Sequence, residues 1–101
     1  MWVVAMFDLP VNSKEARREY TRFVKHLKRD GFTRMQFSVY ARHSASKENA
    51  EAHIGRVKGF LPPDGEVRII TITDKQFERM NVFWGKTRKR PEKAPCQLQL
   101  F

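Results

Sequence analysis

An apolar run, "WVVAMF" at residues 2–7, stops at Asp8 and gives way to "LP". A run this short cannot cross a bilayer, which takes roughly 20 residues. No basic leader or small-residue cleavage site accompanies it, so it does not read as a signal peptide. It predicts a buried central strand, apolar on both faces, around which the rest of the chain must pack. Asp8 then marks where the strand leaves the core. Its carboxylate has two readings: it caps a turn ahead of Pro10, or it serves chemistry at the strand end.

The next segments fall into place around that strand. Residues 12–30 form an amphipathic helix, because Ala16, Tyr20, Phe23, Val24 and Leu27 repeat at the helical period. Asn12 with Glu15 resembles a capping box, and Gly31 supplies the stop. The opposite helical face carries Lys14, Arg17, Arg18, Arg22, Lys25 and Arg29 against two glutamates. "FTRMQFSVYARH" at 32–43 alternates with period two, with Met35, Phe37 and Val39 on one face and Arg34, Gln36, Ser38 and Tyr40 on the other. It is a strand, long enough that a kink or tight reversal can fall inside it. Ser46 can cap a second helix running to about Leu61, with Ala50, Ile54, Val57 and Leu61 as its stripe and His53 as a packed neighbour. Pro62 and Pro63 end it. "GEVRIITIT" is dense in β-branched residues and predicts a strand.

The order β-α-β(β)-α-β matches an α+β, ferredoxin-like βαββαβ sandwich with two helices on one face of an antiparallel sheet. At 101 residues one domain is expected. The division is a ferredoxin-like domain over 1–84 and a basic C-terminal tail over 85–101. Within the tail, "KTRKRPEK" holds five cations and one glutamate, and "QLQLF" alternates as an edge strand would. The apolar residues Phe77, Met80, Val82, Phe83 and Trp84 just before it must cover something.

The net charge of +9 points to a polyanion as partner, nucleic acid first. No segment has the strong moment, basic face and aromatic edge of a membrane-surface helix, so no membrane partner is expected. Cys96 is the single cysteine, and His26, His43 and His53 are scattered. Neither a disulfide nor a zinc site follows, and a reducing cytoplasm is the expected setting.

Several strings in their order carry a resemblance. The strand end "FD", the basic helical start "KEARREY", then "GFTRMQFSVYAR", then "LPPDGEVRIITITDKQFERM" are similar to the small CRISPR-associated adaptation proteins of the Cas2 family. The likeness covers most of residues 1–80 and is closest to members with the longer "FDLP" turn. Its most specific part is the spacing of Arg34, Gln36, Ser38, Val39 and Tyr40 after Asp8. Position 7 is Phe where many relatives have Tyr, and the tail beyond about residue 85 matches poorly. The resemblance implies a ferredoxin-like homodimer that binds double-stranded DNA with the CRISPR integrase subunit during spacer acquisition. It also implies a metal-dependent endonuclease acting on RNA or DNA, with Asp8 as catalytic residue and ligand to Mg2+ or Mn2+.

One carboxylate makes a poor metal site. A twofold axis close to Asp8 would add the partner's copy, and a cation would relieve the repulsion between the two. No other carboxylate is expected near Asp8, and Ser38 has no partnered histidine that would make it a nucleophile. Two other readings stand beside the enzyme. One is a purely structural dimer that holds duplex DNA with Arg17, Arg18, Arg22 and Arg34 and with the tail cations Lys86, Arg88, Lys89 and Arg90. The other is a ferredoxin-like RNA-binding module that stacks bases on sheet aromatics.

Overall fold

The computed structural model describes residues 1–95. Its elements run β1 (Trp2–Asp8), α1 (Lys14–Arg29), β2 (Thr33–Gln36), β3 (Val39–His43), α2 (Lys47–Lys58), β4 (Glu66–Ile72), α3 (Asp74–Glu78), β5 (Val82–Trp84) and β6 (Thr87–Lys89). The main sheet has the order β2-β3-β1-β4, antiparallel throughout. That is the ferredoxin-like arrangement, with the apolar opening run as the central strand.

Alternation along β1 divides the sheet into two faces. Val3, Ala5 and Phe7, with Leu9 just beyond the strand, point under the helices. There they meet Phe23 and Leu27 of α1 and Ala50 and Val57 of α2, all buried. The expected stripes on both helices are the ones that pack, except that Leu61 lies beyond the end of α2 and is exposed. Trp2, Val4, Met6 and Asp8 point the other way. Among the described residues only the Trp2 end of that face is covered, by Phe77 of α3 stacked on the indole at 3.9 Å and by Ala94. The expectation of a strand buried on both faces therefore holds for one face only.

Two local readings change. Ser13, not Asn12, caps α1: its hydroxyl accepts the Ala16 N–H at 3.0 Å. Ser13 has the extended backbone of an N-cap, and Glu15 does not complete a capping box around Asn12. Ser46 caps α2 as expected, accepting from Asn49. The long 32–43 stretch reverses at Phe37–Ser38, where Ser38 takes a left-handed φ of 65°. The register runs Arg34↔Tyr40 and Gln36↔Val39 across an irregularity. Met35 and Val39 still share a face, but Phe37 leaves it for solvent, because a turn residue does not follow strand alternation.

The two helices are tied at one end. Asp30 caps α1 and accepts from His53 Nδ1 at 2.8 Å and from Arg56 at 2.9 Å. Arg42 donates to the Asp30 carbonyl. His53 is thus a packed and satisfied side chain, as its position on the helix stripe suggested. β5 and β6 form a separate hairpin, joined by the turn that follows Trp84. "QLQLF" lies outside the described residues.

Candidate nucleic-acid interface

Asp8 is the last residue of β1 and points from the open face at its end. It stands opposite Glu66, the first residue of β4. Directly paired cross-strand residues have Cβ atoms about 4.5–5.5 Å apart, so two carboxylates are neighbours where the sequence reading placed one alone. The missed signal was strand register, since Glu66 is far from Asp8 in sequence but first in the strand that pairs with it. Among the described residues the Asp8 carboxylate takes no hydrogen bond, so it does not cap the turn at Pro10. Glu66 instead accepts from Arg68 at 2.8 Å, and this bond holds its carboxyl below the usual range.

The approach of β4 to Asp8 depends on a glycine. Gly65 has φ of 94°, and a Cβ there would fall 2.7 Å from the Asp8 carbonyl oxygen. On the helix side of the same strand end, Phe7 stacks on Tyr40 and meets Tyr20 and Phe23 edge-on. Burial pushes the Tyr40 phenol above its ordinary value, so at neutral pH it carries its proton and is no base. Among the described residues no group of three or more His, Cys, Asp or Glu side chains could hold a metal ion. Carboxylate oxygens are hard donors of the kind that suit Mg2+ or Mn2+, but two carboxylates fall short of a full ligand set.

The cations singled out in the sequence lie in three separate places. Lys14, Arg17, Arg18, Arg22, Lys25 and Arg29 line a shallow groove along α1 with His26 and Thr21. Arg17 is also structural there, donating to the Val11 carbonyl at 3.1 Å and so holding the β1–α1 loop. Arg34 stands apart from that groove, at the β2–β3 hairpin, with its guanidinium carbon 5.5 Å from the centre of the Phe37 ring. Lys86, Arg88, Lys89 and Arg90 sit on and beside the β5–β6 hairpin, all exposed, with the Lys89 ammonium 3.9 Å from the Trp84 ring centre. The groove along α1 and the surface beside the hairpin share no lining residue. Phe7 and Tyr40 are buried beneath the helices and Trp2 beneath Phe77. The sheet itself therefore gives no support to base stacking on its face. No helix among the described residues is long and apolar enough to cross a membrane.

Comparison with known proteins agrees with this architecture. The family model described as CRISPR associated protein Cas2 matches residues 1–80. A protein of Parvibaculum lavamentivorans named CRISPR-associated endoribonuclease Cas2 is 56% identical over the full length of both chains. Proteins of the same name from Flavobacterium psychrophilum and Paracidovorax avenae are 43% and 44% identical. Each comparison covers all of this chain, and 88% and 94% of the respective relative.

Proposed function

This chain belongs to the CRISPR-associated Cas2 family, and on that premise we propose that it is a homodimeric adaptation subunit with a phosphodiesterase centre at Asp8. In this reading the dimer grips duplex DNA beside the CRISPR integrase subunit, and Mg2+ or Mn2+ serves the cleavage of RNA or DNA. The cell compartment of such a subunit is the cytoplasm. One observation carries the reading: an exposed carboxylate with no hydrogen-bond partner among the described residues, at the end of a sheet face that those residues cover only in part. A twofold axis against that face sets two Asp8–Glu66 pairs together, which is the donor set that one subunit lacks.

The shared name of the relatives supports nuclease chemistry. A divalent ion held by Asp8 would neutralise phosphate charge and lower the pKa of a bound water. Asp8 would supply the ligand oxygen, while Glu66 is oriented by Arg68. Cations of the α1 groove hold the substrate backbone through phosphate contacts, which weaken steeply with salt. With Tyr40 protonated, the protein supplies no evident base from that side chain.

Asp8→Asn keeps the shape of the side chain and removes both dimer charges at once. Cleavage with magnesium should fall to background, while duplex binding in EDTA persists or rises slightly. Cleavage that survives the substitution in a clean preparation would overturn the catalytic role. If the parent itself cleaves nothing but binds duplex, the structural-dimer reading takes its place. The absence of a three-ligand cluster among the described residues of one subunit is the observation that keeps that second reading in view.

A further inference from the structure

Phe37 is the most exposed large apolar side chain among the described residues, at 72%. Its setting is built. It stacks on Tyr20 of α1 with ring centres 6.0 Å apart and planes 23° from parallel. The Arg34 guanidinium lies within cation–π distance of the ring. The turn that presents it is held in a backbone conformation that side chains other than glycine seldom adopt, Ser38 having φ of 65°. Two tertiary hydrogen bonds fix that residue. The Tyr20 and Ser38 hydroxyls bond at 2.9 Å, and the Phe7 N–H donates to the Ser38 carbonyl at 3.1 Å. Ordinary hairpin closure places glycine or asparagine at such a position and leaves the turn polar. Here the chain holds a strained turn with contacts from two elements and aims a phenylalanine into water.

We propose that Phe37, with Tyr20 behind it and Arg34 beside it, is a stacking platform for one unpaired base of a nucleic-acid strand. The occupant follows from the chemistry of the patch. A flat ring next to a guanidinium suits a base, whose π-face stacks and whose phosphate meets the cation. Tyr20, which backs the ring, belongs to α1, the same helix whose cations line the groove. The platform also adjoins the end of β1, because Ser38 is bonded to Phe7, the residue before Asp8. The platform thus recognises single strands or the frayed end of a duplex, while the α1 groove takes backbone of any kind. This inference rests on the proposed nucleic-acid function and adds a positioning residue to it.

The test measures binding in EDTA to a short unpaired RNA, the same sequence as DNA, and a blunt duplex, each carrying 2-aminopurine. Phe37→Ala should weaken unpaired strands by about 5- to 150-fold, the range found for loss of one stacked base. It should leave the blunt duplex unchanged and abolish the quenching of 2-aminopurine that stacking causes. Phe37→Trp should retain both affinity and quenching. Loss with RNA alone, or DNA alone, supports the platform and names its ligand. Arg18→Ala with Arg22→Ala is the control: it should weaken strand and duplex alike and leave residual quenching at saturation. Unchanged strand affinity and quenching in Phe37→Ala overturns the platform while leaving the groove intact. Unchanged strand binding with a weakened dimer in the same variant overturns it in favour of a protein contact. A parent that binds neither strand nor duplex overturns the platform together with the function on which it rests.

Discussion

Val3, Ala5 and Phe7 alternate along β1 with Val4, Met6 and Asp8, so one strand serves both faces of the sheet, yet the two faces are finished differently. The first set meets α1 and α2 and is buried. The second set is as apolar up to Asp8, but Met6, opposite Arg68, is 36% exposed, and Ile70, opposite Val4, is 49% exposed. Among the described residues, the five-residue α3, with Ala94, covers only the Trp2 end of that face. Apolar area left in water costs about 25 cal/mol for each Å². A chain that keeps such a face has a use for it, and the self-complementary use is a second copy. The covered face is thus what folds the subunit, and the open face is what we propose joins two of them.

The largest expected effects separate those two roles. Phe23→Ala empties a site that is 1% exposed beneath the helices and should cost about 3–5 kcal/mol, read from the urea midpoint. Ile70→Glu should leave a folded subunit with native far-UV spectrum. It should also convert the dimer to a particle near the chain mass of 12.0 kDa in sedimentation. If Ile70→Glu unfolds the chain, the open face is part of the subunit core and the contrast fails. If the variant remains a dimer, the partner seats elsewhere.

The covered face was legible in the sequence because helical and strand periods specify which side chains turn inward. Phe23, Leu27, Ala50 and Val57 lie where the pattern puts them. Ser46 was legible as a cap for the same local reason. The site was legible only in part. Asp8 could be singled out as a carboxylate ending an apolar strand, but its neighbour Glu66 comes from strand register, which the sequence leaves open until topology is known. The reversal at 37–38 carries no Gly or Pro, because tertiary bonds from Tyr20 and Phe7 hold Ser38 where local sequence would not. Phe37 therefore read as a strand residue on the Met35 face. Arg17 read as a surface cation, since its bond to the Val11 carbonyl depends on the path of a loop.

Gly65 sharpens the comparison at the point where the two faces end. Gly65→Ala meets both a positive φ and the Asp8 carbonyl oxygen, so β1 and β4 must separate locally. A cost of about 1–3 kcal/mol is expected for holding alanine there. Any cleavage should fall further than the lost stability explains, because Asp8 moves with its backbone. Gly55, in the interior of α2, has open space where an alanine methyl would sit and an ordinary φ. Gly55→Ala should therefore stabilise by roughly 0.5–1 kcal/mol through helix propensity. Equal effects at the two positions would show that the crowding at Asp8 is relieved without consequence.

The smallest effect tests the one covered corner of the open face. Asp74, the first residue of α3, accepts from the Met1 ammonium at 2.8 Å and from His43 at 3.2 Å, and His43 in turn packs edge-on against Trp2. These bonds, the ammonium foremost, hold the Asp74 carboxyl below its ordinary value. A carboxyl depressed in the folded state stabilises it fully above the unfolded value of about 4. That contribution is lost as pH falls through the folded value, where the native carboxylate takes up its proton. Asp74 is about half exposed, so the contribution belongs with surface pairs, about 0.2–1 kcal/mol. The difference in urea midpoint between the parent and Asp74→Asn should be steady from neutral pH to about pH 5 and shrink below about pH 4. Indole fluorescence of Trp2, read in a Trp84→Phe background, should follow the same course as Phe77 loosens from its stack. A difference that instead grows on acidification would show that Asp74 opposes the closure of this corner, and that the Phe77–Trp2 stack alone holds α3 to the sheet.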